Sequence, residues 1–394
     1  MINLVIDFNN IAMRAMYACI YMRESGVTNY NTQEECGILA RKITTDITFI
    51  LHLFGPDRVI FVCDSKHPWR EQLYDEIYGM EYKGNRIKDK DKNWNNIFNT
   101  MNNLKEIYDK KGFITCEIEH AEADDLAALY KDLLFKKKNE NMILVSSDRD
   151  WCQLIDFNID KNNFCIVYNP IANNKGKKKI YITEQCSEWL NAPEITNIFF
   201  NNYSKEKEII RNILKDSKNE TEVLFPEEIL TEKIICGDDG DNVPGFYEFY
   251  KNGKKVRLTK LRMKKLFESA NISNLNEFKD KCIAGTINEY IAKLFKKEIN
   301  DMDSNKRLIR QCRLVELNPI LFPEEETNTF ITKYKPEIET SKGHIAGIIN
   351  IKMEDILKNT EYITEGYERK PKENAIFKNF DTKLLDRFIT DSLF

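Results

Sequence analysis

The chain has 394 residues, 42% of them hydrophobic and 31% charged, with a formal net charge of -4. That is the length of two or three domains and the composition of a folded globular protein, and no apolar run approaches the roughly 18 residues that would read as a membrane span. With 59 basic against 63 acidic residues, whole-chain charge neither supports nor excludes a nucleic-acid partner, so the distribution has to decide.

The opening residues Met1 to Asp7 carry no basic leader and place an acid inside their apolar stretch. No signal peptide is therefore expected, and the expected location is the cytoplasm, that of the host if the chain is phage-encoded. Three segments read as short buried strands that each stop at an acid: Ile2 to Ile6 before Asp7, Val59 to Cys63 before Asp64, and Met142 to Ser146 before Ser147 and Asp148. Strands apolar on both faces belong in parallel sheets. Helical spacing between them, over Ile38 to Phe54 and Glu119 to Lys138, predicts an α/β fold with an open, mostly parallel sheet and flanking helices. Residues 69–101 interleave aromatic and basic side chains. They read as too polar for core and too aromatic for a plain linker. Beyond about Leu190 strand signals fade into helical patterns with Asn- and Lys-rich joins. Pro319 and Pro323 mark a break, and Phe377 to Phe394 is amphipathic. The expected organisation is an α/β domain over 1–190, a helical domain over 191–325 and a C-terminal extension over 326–394 that packs on the helical domain or binds a partner.

In an open α/β sheet, residues following the strands face the crevice where ligands bind. Three strands deliver Asp7, Asp64 and the pair Asp148 and Asp150 to that edge, a helix start adds Glu122, Asp124 and Asp125, and the loop Gly237 to Gly245 adds Asp238 and Asp241. Any one of these is ordinarily a turn residue, an N-cap or an acid at the favourable end of a helix dipole. If all converge, mutual repulsion raises their pKa values or demands cations. Ten cysteines without a Cys-x-x-Cys pair and only four histidines argue against zinc and against a disulfide framework. Oxygen ligands alone point instead to Mg²⁺ or Mn²⁺, and a pair of such ions is a common arrangement for in-line phosphodiester hydrolysis.

The early strand ending in Asp7, the strand ending in Asp64, Tyr82 to Arg86, Glu122 to Asp125, Ser146 to Asp150 and Gly237 to Gly245 occur in the order found in the 5′ nucleases. The chain resembles that family of flap endonucleases and 5′-to-3′ exonuclease domains over residues 1 to 250, and among its members looks most like the ribonuclease H of T-even phages. The resemblance implies a PIN-like catalytic domain in which Asp7, Asp64, Glu122, Asp124, Asp125 and Asp148 surround a first metal and Asp150, Asp238 and Asp241 a second. It also implies an arch or gateway at about 69–101, where Lys83 neutralises charge on the scissile phosphate, Arg86 steers it and Tyr82 stacks on a base.

Lys251, Lys254, Lys255, Arg257, Lys260, Arg262, Lys264 and Lys265 form an acid-free basic run. Spacing alone leaves this open between a solvated face and phosphate contacts; the family places a duplex-gripping element there. The chain departs from the family in lacking the second glycine-rich turn after Gly245, reading Phe246 to Tyr250 instead. The lysines at 175 and 177–179 read as a solvated hairpin tip.

The resulting expectation is a Mg²⁺-dependent, monomeric 5′ nuclease using two ions, with Mn²⁺ able to substitute. Its expected partners are branched or nicked duplex DNA and RNA–DNA hybrid, with a single-stranded-DNA-binding protein or sliding clamp for the C-terminal stretch, and no membrane. It would remove RNA primers and 5′ ends or flaps during replication. The alternatives are a related metal-dependent endoribonuclease and a non-catalytic DNA-binding module.

Overall fold

The computed structural model describes residues 1–21, 26–78, 82–84, 89–192, 205–299 and 302–340. The α/β layer begins with β1 (Ile2–Asp7), α1 (Phe8–Tyr21), α2 (Gln33–Phe54), β2 (Arg58–Val62), α3 (Trp69–Tyr78), α4 (Trp94–Lys110), β3 (Ile114–Cys116) and α5 (Ala123–Tyr130). It continues through β4 (Asn141–Val145), β5 (Asp156–Asn158), β6 (Asn163–Ala172), β7 (Lys178–Ile182), α6 (Glu184–Asn191), α7 (Lys205–Lys215) and β8 (Asn219–Val223). The strands lie in the order β3-β2-β1-β4-β6-β7-β8, with β5 paired to β6. All neighbours from β3 to β6 are parallel, and only the β5 and β7 pairings with β6 are antiparallel.

All six residues of β1 are buried. The strand shows no alternation because both of its faces are covered: Leu4 and Ile6 join the core under α1, α2 and α4, while Val5 joins the core under α5. The helix α2 starts at a capping box between Thr32 and Glu35 and stops at Gly55, whose φ of 51° is the left-handed turn that ends helices. Its buried stripe includes Leu39, Ile43, Ile47 and Ile50. Truncating one of these to alanine should cost about 2–5 kcal/mol, through lost burial and the cavity left behind.

Three expectations change here. The sheet does not end near residue 190, since β8 pairs parallel with β7 and carries the α/β layer to Val223. The stretch 69–101 is in large part packed rather than splayed. Trp69, Arg70 and Tyr74 on α3 and Ile97 and Met101 on α4 are buried, because the helical spacing of their apolar positions outweighs the polar composition between them. The described part of the C-terminal extension covers the α/β domain and not the helical one. Phe330, Tyr334 and Ile338 pack with Tyr130, and the Tyr334 hydroxyl donates to the Glu117 carbonyl at 2.8 Å. The amphipathic stretch Phe377 to Phe394 lies outside the described residues.

The second unit starts with α8 (Pro226–Cys236), passes through the acidic loop, and continues as the hairpin β9 (Glu248–Lys251) and β10 (Lys254–Arg257). The helices α9 (Lys260–Ala270), α10 (Leu275–Ile283), α11 (Ile287–Phe295) and α12 (Ser304–Val315) follow. Asn252 and Gly253, at φ 52° and 71°, make the tight turn of the hairpin. A third core built on Ile235, Phe246, Leu266 and Phe278 also takes in Tyr74 and Tyr82, which ties this unit to α3. All ten cysteines are free thiols. No described helix is long and apolar enough to cross a membrane.

Candidate metal centre

The chain leaves β1 for β2 and β3 on one side of the sheet, and β4 lies on the other, so the β1/β4 junction is the switch point where α/β sheets bind ligands. In register, Asp7 lies opposite Val62 and Ile6 opposite Val145. The ends of β1, β2 and β4 therefore bring Asp7, Asp64 and Asp148 to one edge. Asp7 is buried, accepting from the Asn10 amide at 3.0 Å and the Ser146 hydroxyl at 2.9 Å. Asp64 accepts the Ala123 amide at 2.8 Å, which sets the start of α5 against the end of β2. Asp124 accepts the Trp151 indole N–H at 2.6 Å, and Asp148 caps the turn after β4 by accepting the Asp150 amide at 2.8 Å.

These acids carry more negative charge than their surroundings offset. Burial first, and the Asp64 carboxylate second, push Asp7 up to about 7. Burial, then Asp148 and Glu122, drive Asp124 well above the ordinary carboxylate range, and burial with Asp150 does the same to Asp148.

The other half of the site is built with its own cations. Burial pushes Glu122 upward, but Lys83 Nζ at 2.6 Å and Arg70 Nη1 at 3.0 Å more than offset it, and its pKa falls. Asp125 is enclosed by Arg70 Nη2 at 2.7 Å, the Trp69 indole N–H at 3.0 Å and the Glu122 amide at 3.1 Å. These contacts tie Asp125 to the protein as a support for Glu122.

Asp150, Asp238 and Asp241 present carboxylate oxygens that all lie within 4.8 Å of one another. Lys233 Nζ ion-pairs with both Asp150 and Asp238. Asp241 accepts from the Tyr82 hydroxyl at 3.1 Å and lies 3.8 Å from Lys83 Nζ. The loop holding Asp238 and Asp241 closes through paired backbone hydrogen bonds between Asp238 and Val243. Gly237 permits this: its φ is 81°, and a Cβ there would meet the Val243 carbonyl oxygen at 2.5 Å.

The nine acids named from sequence thus fall into one region, although Asp125 faces inward. Lys83 reaches the acids, whereas Arg86 lies outside the described residues. Tyr82 is 7% exposed and packs against Tyr74 with ring centroids 5.6 Å apart, so its ring is not presented to a base and its hydroxyl positions Asp241 instead. In the basic run, Lys255, Arg257 and Lys260 pair with Glu248, Asp239 and Glu232, and Arg262 donates to the Arg257 carbonyl at 2.7 Å. Lys251, Lys254, Lys264 and Lys265 are exposed.

Sequence reasoning missed two cations. Lys233 sits on a helix whose neighbours Thr231, Ile234 and Ile235 are buried, and nothing in its spacing sets it apart from a snorkelling lysine. Arg70 counted as one of several basic residues on a presumed surface. Its adjacency to Trp69, over whose ring it stacks at 4.5 Å, was the available signal.

The donor set is carboxylate oxygen throughout, closely spaced and only partly neutralised by Lys83, Arg70 and Lys233, which fits hard divalent cations. The comparisons agree with the fold. Residues 3–188 match the family described as 5′-3′ exonuclease, N-terminal resolvase-like domain. A 5′-3′ exonuclease of Mycoplasmopsis pulmonis (strain UAB CTIP) is 28% identical over 229 residues, 57% of this chain and 59% of that protein. The chain therefore aligns with about three-fifths of the length of that curated relative. Two solved structures share the fold with TM-scores of 0.52: a bacteriophage T5 flap endonuclease in a pseudo-enzyme-product complex with DNA and metal ions, at 18% identity, and a T5 5′-exonuclease with zinc ions bound, at 19%. Each similarity covers 87% of this chain and all of the other. A resolvase-like α/β domain with acids at its switch point defines a class of nuclease. Within that class, residues 3–188 of this chain are similar to the 5′-3′ exonuclease N-terminal domain.

Proposed function

We propose that the chain is a divalent-metal-dependent 5′-to-3′ exonuclease and flap endonuclease, with Mg²⁺ as its working ion and Mn²⁺ as a substitute. Its substrates are 5′ DNA ends and flaps and the RNA primers attached to them. The observation that carries the reading is the juxtaposition of the acids at the β1/β4 switch point with the Asp150, Asp238 and Asp241 cluster, beside the ammonium of Lys83. Asp7, Asp64, Asp124 and Asp148 would hold one ion, and Asp150, Asp238 and Asp241 the other. Such ions activate water and stabilise the leaving oxygen of an in-line displacement.

The chain's own residues set the stage. Arg70 and Asp125 fix the start of α5 so that Glu122 faces Lys83. Lys83, a quarter exposed and held at φ 55° with its amide on the Asp241 carbonyl at 3.3 Å, offers positive charge to a phosphate entering the site. The exposed lysines of the hairpin and α9 supply sequence-independent backbone contacts. The T5 flap endonuclease complex with DNA and metals, similar in fold, supports this reading.

Product mapping on 5′- and 3′-labelled flap, nicked and RNA-primed duplexes, with Mg²⁺ or with chelator, tests it. Short products released from the 5′ ends only with the ion support the proposal. Cleavage confined to internal single-stranded RNA favours the endoribonuclease alternative, and binding without cleavage favours the non-catalytic module.

A further inference from the structure

Outside the carboxylate region, on the α1/α2 face, lies a basic cluster with one acid, Asp46, beside it. Arg14 lies on α1, seven residues past Asp7, which is about 10 Å of helix rise. Its Nε is buried and makes no hydrogen bond, and no described carboxylate forms an ion pair with its guanidinium. The Tyr168 hydroxyl of β6, close enough for its charge to act on Arg14, is likewise buried and without a hydrogen-bond partner among the described residues. Lys178, at the start of β7, stands 4.0 Å over the Phe49 ring and 6.0 Å from the Tyr168 ring, and no described acid forms an ion pair with it. Lys42 on α2 pairs with Asp46, whose charge also acts on Arg14 and Lys178. The surroundings are otherwise repulsive. Burial first, and the charges of Arg14, Lys42 and Lys218 with it, lower the Lys178 pKa, and burial brings Arg14 down to about 10.

Withdrawing a guanidinium from water without a hydrogen-bonded counter-charge is costly, and proteins ordinarily supply one. A lysine beside it adds to the cost unless an anion is shared between them. A guanidinium fork with an ammonium alongside is the arrangement that recognises a phosphate oxygen pair. The solvated-tip reading of the 175–179 lysines fails for Lys178, whose ammonium stands over aromatic rings.

We propose that Arg14 and Lys178, with Lys42 at the margin, form a phosphate-binding subsite on the α1/α2 face of the sheet, separate from the carboxylate centre. The ligand chemistry is a phosphate mono- or diester oxyanion, either free or carried by a nucleic-acid strand. Thermal unfolding of the full chain is followed in increasing inorganic phosphate, with potassium chloride holding ionic strength constant and chelator keeping metals out. Lys178→Met is the main variant because Lys178 is only half-buried. Arg14→Lys keeps the charge but removes the fork, and Lys175→Met at the exposed hairpin tip is the control.

The wild type and Lys175→Met should be stabilised saturably, and the apparent phosphate affinity should fall about tenfold in Lys178→Met and Arg14→Lys. The same proteins are then titrated with a labelled duplex. A parallel tenfold loss with a shallower salt dependence assigns the phosphate to a nucleic-acid strand, and unchanged duplex affinity assigns it to the free anion. No saturable stabilisation of the wild type, or equal stabilisation of all four proteins, would overturn the proposal.

Discussion

The two halves of the acidic region are neutralised in different ways. At the sheet edge, a buried Asp7 and half-buried Asp124 and Asp148 crowd one another, and their pKa values climb. At the junction with the second unit, the acids meet Lys83, Arg70 and Lys233, and Glu122 is held below the ordinary range. The sheet edge is made from strand ends, whose direction is dictated by a core that has no room for long basic side chains. The junction is made from α3, α8 and a loop, whose surfaces can send a lysine or arginine inward. The protein thus neutralises the junction half in part with its own side chains, more than it does the sheet edge, yet Asp150 there is still raised by burial, as Asp148 is at the sheet edge.

The sharpest break in this comparison comes from removing a sheet-edge acid. Asp148→Asn or Asp64→Asn should lower Mg²⁺-dependent cleavage by on the order of 10²-fold or more while leaving duplex binding measurable, or tighter, because each change removes negative charge facing phosphate. Single-turnover rates and binding isotherms check both parts, and full activity in Asp148→Asn contradicts the metal assignment.

Next in size is Lys83→Ala. If Lys83 meets the reacting phosphate mainly in the transition state, single-turnover cleavage should fall at least roughly tenfold, about 1.4 kcal/mol, with little change in affinity. Loss of affinity alone would make Lys83 a steering residue.

Stability against pH sharpens the same contrast. Asp7 is raised from 3.8 to about 7, so the folded state binds more protons than the unfolded one between those values. Its contribution is present at low pH and is lost as pH rises through the folded pKa. Glu122 is lowered and works in the opposite sense, its contribution being lost as pH falls below the ordinary carboxylate range. In chelator, the melting temperature should therefore drop between about pH 5 and 7, and saturating Mg²⁺ should remove most of that drop. A chelator profile that rises over this range would mean that the sheet-edge acids are not strained in this way.

The smallest effect is expected at the hairpin and α9. Reversing Lys251, Lys254 and Lys264 should weaken duplex binding uniformly across sequences and flatten its salt dependence. Reversing Arg257 and Lys260 should do less, because Asp239 and Glu232 already occupy them. Equal salt slopes for the two sets would remove that distinction.

The sheet-edge half was the legible one. A strand buried on both faces is written as an uninterrupted apolar run, and the acid that ends it marks the sheet edge, so Asp7, Asp64 and Asp148 could be placed from local pattern alone. The extension of the sheet to β8 was not visible, because Asn219 to Val223 is a mostly polar edge strand with little apolar signature. Arg70 and Lys233 were hidden for a related reason. Their partners are 52 and 55 residues away for Arg70, and for Lys233 include Asp150, 83 residues upstream, and no spacing rule links such positions. Tyr82 was misread because an aromatic in a basic stretch looks like a stacking platform until the second unit is seen to bury it.

Calorimetric titration of the full chain with Mn²⁺, wild type against Asp148→Asn and Asp241→Asn, addresses the division of the site most directly. The account predicts two binding events in the wild type, loss or marked weakening of one in Asp148→Asn, and of the other in Asp241→Asn. A single event that survives both substitutions would contradict it.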